Sequence, residues 1–275
     1  MRGLLASPLG FLIGFSLGAL GGGGSILAVP ALVYVAGQSA KAATTTSLVI
    51  VGATALWGMI SHLRAGRVRL GSGVAFGLTG MGGSFAGSLL NRAVPAPVLL
   101  LAFSGLMVVA AWRMWTNHRA EPQVPADLQG GGVSKARHNP GTESTPRVSN
   151  WLRGTLARIV LIGTGVGLLT GFFGVGGGFI IVPGLVLALG YDMPIAVGTS
   201  LLVIAINSAE ALAFRLTSGG IDWSVAGPFT IAGLVGVTLG ANVAGRVPAD
   251  RLTRWFVWLL LAVAAYTGAR SLATL

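Results

Sequence analysis

The sequence predicts an all-helical, polytopic membrane protein made of two homologous repeats, and three observations carry that prediction. Only 9% of the residues are charged against 53% hydrophobic, and the mean hydropathy is +0.80. A water-soluble chain needs a charged surface, and this one has too few charges for its area. Apolar segments separated by short polar or glycine-rich breaks run along most of the chain. Finally, GFFGVGGGFIIVPGLVLALGYDMPIAVGTS at 171–200 recurs as GALGGGGSILAVPALVYVAGQSAKAATTTS at 18–47, at an ungapped offset of 153 residues.

The offset persists beyond this motif: Gly80, Gly83, Gly87, Pro95 and Phe103 meet Gly233, Gly236, Gly240, Pro248 and Phe256. Each half therefore reads as five apolar segments. In the first half they are residues 4–20, 25–36, 43–60, 70–90 and 97–115; in the second, 156–170, 179–189, 196–214, 225–243 and 252–267. A spanning helix needs about 20 residues, which the third, fourth and fifth segments of each half supply. The second segment is too short. Joined to the first it is too long for one straight helix, and in the N-terminal half Gly21 to Gly24 interrupt it. The pair reads as two short helices meeting at a glycine run, either a re-entrant hairpin or broken helices. Irregular backbone at membrane depth is tolerated only where it is buried in protein or lines a cavity, so the glycine run predicts a cavity. The first twenty residues have the outline of a cleaved signal peptide, but their counterpart before Gly171 is internal, so they are kept as structure.

These segments divide the chain into an N-terminal transmembrane repeat (1–116), a linker (117–150) and a C-terminal transmembrane repeat (151–275). The linker is rich in Pro, Gly, Ser and mixed charge and reads as flexible and disordered. Arg113, Arg119, Lys135, Arg137 and Arg147 lie in or beside it, which places it in the cytoplasm, together with the loop 62–69 that carries Arg64, Arg67 and Arg69. The remaining cations do not separate inverted from parallel repeats. Segment lengths favour inverted repeats, because a hairpin plus three spans, or five spans, makes an odd number of crossings.

The net charge of +11, from 18 Lys and Arg against 7 Asp and Glu, would raise nucleic-acid binding in a soluble domain. Here the arginines lie mostly between apolar segments, so no nucleic acid is expected as partner. Cysteine is absent, His62, His118 and His138 are scattered, and no metal site, cofactor motif or paired carboxylate is readable. An enzyme is not expected.

The chemistry sits in the repeated motif. Gly174, Gly176, Gly177 and Gly178 precede an apolar helix, as Gly22, Gly23 and Gly24 precede Ser25. Glycines at a helix start leave amide N–H groups uncovered, so an anion can approach the positive end of the helix dipole. A dinucleotide loop would need a strand before the glycines and an acidic ribose ligand beyond them, and neither is present. The structural alternative is that the glycines only let helices pack closely. Thr45, Thr46 and Ser47, matched by Thr199 and Ser200, open the third segments, where hydroxyls can cap a helix or hold an oxyanion. Pro30 and Pro183 sit inside the short helices, placed to bend them or limit their length. Glu210, with Asn207 one turn before it, lies nearest the membrane interior among the carboxylates, a candidate for proton coupling or gating. Asn91 and Asn242 close the fourth segments as interhelical hydrogen-bonders or caps.

GFFGVGGGFIIVPGLVLALGYDMPIAVGTSLLVI, with its diverged N-terminal copy and the hydrophilic linker, resembles the TauE/SafE family of membrane proteins, the sulfite exporter family. The similarity covers nearly all of the chain outside the linker. The first copy departs from the pattern, with Ser25 in place of a glycine and no acid matching Asp192. The resemblance implies secondary transport of small sulfur-containing anions such as sulfite, sulfoacetate or other organosulfonates across the bacterial inner membrane. On this reading Gly22, Gly23, Gly24, Ser25, Thr45, Thr46, Ser47, Gly174, Gly176, Gly177, Gly178, Thr199, Ser200 and Asn207 bind substrate and Glu210 couples or gates. The expected partners are a small anion and the lipid bilayer, with a homodimer compatible with both. The alternatives are a membrane channel or a non-transporting scaffold.

Overall fold

The computed structural model describes residues 2–91, 94–117, 147–173, 178–215 and 221–272. Among the described residues the chain is helical, with no strand. The helices are α1 (Arg2–Leu20), α2 (Gly23–Tyr34), α3 (Ala40–Arg64), α4 (Leu70–Asn91), α5 (Ala96–Asn117), α6 (Arg147–Phe173), α7 (Gly178–Pro183), α8 (Met193–Arg215), α9 (Trp223–Arg246) and α10 (Ala249–Leu272). Five of them, α3, α4, α8, α9 and α10, are long and apolar enough to cross a membrane. Six were expected; in α5 the apolar stretch is only Leu101–Thr116. With 12 residues α2 is too short to span, as its sequence predicts. Phe85 and Leu161 stand 70% and 76% exposed on the outer surface, a penalty in water and none in lipid. The chain is an integral membrane protein.

The helix ends have local causes. Ser39 caps α3, its Oγ accepting from the Ala42 amide at 3.3 Å. The hydroxyl cluster at 44–47 therefore lies inside the helix wall and does not cap it. Asp222 caps α9, accepting from the Ser224 hydroxyl at 2.6 Å and the Ser224 amide at 3.1 Å. The hydroxyl bond, foremost, holds this carboxyl below its ordinary pKa. Directly after Pro183 the regular ladder gives way to a π-helical segment, Gly184–Ala188, because proline lacks an N–H to donate and crowds the preceding turn. Asn91 donates from Nδ2 to the Phe172 carbonyl at 2.5 Å, the interhelical role expected of it.

Packing rests on small residues. A Cβ on Gly14 would run into the backbone of Gly233 and one on Gly18 into that of Val237, while Gly236 and Gly240 meet the carbonyls of Phe11 and Phe15. In the same manner α4 and α6 touch through Gly167 with Gly80, Gly171 with Ser84, Gly83 with Thr164 and Gly87 with Leu168. A spacing of four puts these glycines on one stripe, and in lipid it is such close van der Waals contact that holds helices together. The contact numbers rise together, so α1 runs parallel to α9 and α4 to α6. In contrast α3 and α8 are antiparallel, with Gly52 facing Ser208 and Gly58 facing Leu201. Buried Phe103 sets its ring edge-on to Phe179 at 4.9 Å and Phe173 at 5.3 Å, which fixes both sides of the α6–α7 junction against α5.

Candidate functional site

Gly21, at φ +74°, ends α1 in a conformation that a side chain would strain, and α2 folds back along α1 from there. A Cβ on Gly24 would meet the backbone of Ile13 and Leu17, which shows how closely the two arms of this hairpin lie. The turn reaches the start of α7: a Cβ on Gly22 would fall within the backbone of Gly178 and Phe179, and one on Gly178 against the Ser25 hydroxyl and Gly22. Gly21 in turn faces the Ser200 hydroxyl and Val182. Gly22, Ser25, Gly178 and Ser200, predicted as one site from two distant stretches, thus come together. Gly23 packs on Leu259 of α10 instead. Gly174, Gly176 and Gly177 lie outside the described residues.

The hydroxyls differ in what they have left to offer. Ser25, Ser47 and Ser200 each donate to the carbonyl three residues back, at 2.7, 2.8 and 2.8 Å. Thr199 accepts from the Arg69 amide at 3.1 Å, which pins the α3–α4 loop to α8. Thr45 is buried. Thr46 is fully buried and its Oγ1 has no partner among the described residues, and the same holds for the buried Oδ1 of Asn207. A buried polar atom without a partner costs roughly 1–3 kcal/mol and calls for a ligand or a water. Asn207 stands two turns beyond Ser200 along α8, about 10 Å away along the axis. Half-buried Glu210 lies a turn further, and no described side chain pairs with it. The Arg215 side chain lies outside the description. Asn207 and Glu210 therefore do not join the glycine turns.

Sequence reasoning missed two features. One is an apolar groove of about 480 Å³ between α3 and α8, lined among others by Val49, Gly52, Leu56, Leu202, Ala205 and Ile206. The offset was its available signal, since Val49, Gly52 and Ala53 pair with Leu202, Ala205 and Ile206 at 153 residues. The other is a polar cluster at the end of α3. There His62 is fully buried, and burial lowers the Arg67 guanidinium from its ordinary pKa.

A family model described as "Sulfite exporter TauE/SafE" matches residues 6–267. The chain belongs to the TauE/SafE family. Its members here are named as membrane transporters rather than enzymes. A "Probable membrane transporter protein" of Xylella fastidiosa (strain 9a5c) is 36% identical over 97% of this chain and 95% of its own length. The Bacillus subtilis "Probable membrane transporter protein YdhB" is 27% identical over 86% of this chain and 89% of its own. The corresponding shares for the Methanocaldococcus jannaschii "Probable membrane transporter protein MJ0441" are 78% and 74%, at 25% identity. No solved structure matches the chain.

Proposed function

We propose that this chain is a secondary transporter that moves small sulfur-containing anions, such as sulfite, sulfoacetate or other organosulfonates, across the bacterial inner membrane by alternating access. The observation that carries the reading is the meeting of the α1–α2 turn with the start of α7, one motif copy against the other at Gly22 and Gly178. Contacts that recur at the offset support two repeats of opposite orientation: Gly14 with Gly233 becomes Gly167 with Gly80, and Gly18 with Val237 becomes Gly171 with Ser84. So does the antiparallel course of α3 and its counterpart α8. Inverted repeats of this kind place short-helix N-termini near the midplane, where they favour an anion. Rocking one repeat against the other would open the site to each side in turn, with Glu210 as the proton-coupling group.

The test is flux into proteoliposomes of sulfite, sulfoacetate, taurine and sulfate, with Gly22→Val and Ser25→Ala beside the wild type. Saturable flux of a sulfur anion, lost in Gly22→Val and little changed in Ser25→Ala, whose hydroxyl already donates to the Gly22 carbonyl, is the expected outcome. Flux that does not saturate marks a channel, and no flux of any of the four refutes the substrate class.

A further inference from the structure

The cluster at the end of α3 leaves two buried polar atoms without a partner among the described residues. Gly66, at φ +69°, closes α3 in a Schellman turn in which the Gly66 amide donates to the Leu63 carbonyl at 3.0 Å and the Arg67 amide to the His62 carbonyl at 2.9 Å. This turn folds Arg67 back toward the histidine it follows by five residues. The loop is then fixed from outside: a Cβ on Gly198 of α8 would strike the Arg67 carbonyl and lie 3.1 Å from the His62 Cβ. The guanidinium covers Gly245 near the exposed end of α9, where a Cβ would sit 3.2 Å from Nη2. It also lies within electrostatic reach of the imidazole.

Two atoms of the cluster have no partner among the described residues, Nη1 of Arg67 and Nδ1 of His62. Their demands are opposite. Nη1 is a cationic N–H and needs an acceptor. The other ring nitrogen of His62, Nε2, lies 3.1 Å from the Gly18 carbonyl, which can only accept, so Nε2 carries the proton and Nδ1 of the neutral ring needs a donor. Of the elements packed around the site, α1 and α2 bring no charged group among their described side chains. On α8 there is none before Glu210, and α9 ends in exposed Arg246; the loop itself adds exposed Arg64 and Arg69. The carboxylates at this end, Asp192 and Asp250, are both exposed.

We propose that Arg67 and His62 form a second anion site, separate from the glycine turns, that takes an oxyanion still carrying one proton. An anionic oxygen accepts from Nη1 of Arg67, and the remaining O–H donates to Nδ1 of His62. The choice of hydrogen sulfite as ligand rests on the transport reading above. A lipid phosphodiester offers the same anionic oxygens but carries no O–H on the phosphorus. At the 153-residue offset His62 and Arg67 correspond to Arg215 and Gly220, so the site belongs to one end of the bundle alone.

Thermal stabilisation of the purified full chain in detergent tests this, with hydrogen sulfite, methanesulfonate and phosphatidylglycerol as separate additions. Hydrogen sulfite should stabilise the wild type, with apparent affinity about tenfold or more weaker in Arg67→Gln. In His62→Gln, whose amide can still reach the Gly18 carbonyl, the preference for hydrogen sulfite over methanesulfonate should disappear. Should the buried substitution not fold, Gly245→Leu fills the space beside the guanidinium from the exposed end and should give the same loss. Wild-type affinity in Arg67→Gln, or an Arg67-dependent effect carried by phosphatidylglycerol in place of hydrogen sulfite, overturns the proposal. The two readings fail separately. A chain that binds hydrogen sulfite through Arg67 but transports nothing refutes the transport reading alone, and one that transports sulfite but gains no Arg67-dependent stabilisation from hydrogen sulfite refutes this one.

Discussion

Thr46→Val separates a structural hydroxyl from a substrate ligand. The Thr46 side chain is fully buried and its Oγ1 has no partner among the described residues. Valine keeps the branched shape and removes the oxygen, so the desolvation cost of roughly 1–3 kcal/mol disappears and the melting temperature in detergent should rise by a few degrees. If the hydroxyl donates to a bound anion, the same change removes a charge-assisted bond of roughly 1.5–3 kcal/mol, which weakens apparent substrate affinity by about tenfold to a hundredfold. The assay pairs a thermal melt with the concentration dependence of sulfite flux. Raised stability with unchanged affinity would falsify the ligand role. A lowered melting temperature would refute the premise itself, because it would mean that the hydroxyl has a partner in the folded protein.

Other substitutions probe the scaffold and the coupling group. Gly167→Leu puts a side chain into the backbone of Gly80 and should abolish monodisperse protein, a loss of several kcal/mol, whereas Gly105→Ala, with open space around it, should be neutral or stabilise by up to about 1 kcal/mol. Asp222→Asn bears on pH. Because the folded state depresses this carboxyl, its cap stabilises above the ordinary carboxylate range and is lost as pH falls through the folded value. Melting curves should therefore separate the variant from the wild type at neutral pH and converge in acid. Glu210→Gln should leave downhill exchange intact and remove the response of sulfite flux to an imposed proton gradient; an unchanged response excludes Glu210 as the coupling group.

The sequence by itself determined the class of protein and the positions of the helices. Charge content and segment length are one-dimensional properties, and lipid imposes them directly, so α2 could be recognised as too short before any packing was known. The family could be read from the second motif copy for the same reason, since its glycines, Pro183 and hydroxyls stand in line. What each glycine does was not legible. Gly14, Gly22 and Gly66 look alike in sequence, yet one lets two helices touch, one meets the opposite motif and one turns the chain to place Arg67. Those roles depend on what stands across the interface, at Gly233, at Gly178 and at His62. The same holds for the polar residues. Ser25 and Thr46 are equivalent candidates in the chain, but the Gly22 carbonyl satisfies Ser25, while the Thr46 Oγ1 finds no partner among the described residues. Only the tertiary structure decided which polar atoms remain without a partner, because that depends on the distance to neighbours far away in sequence.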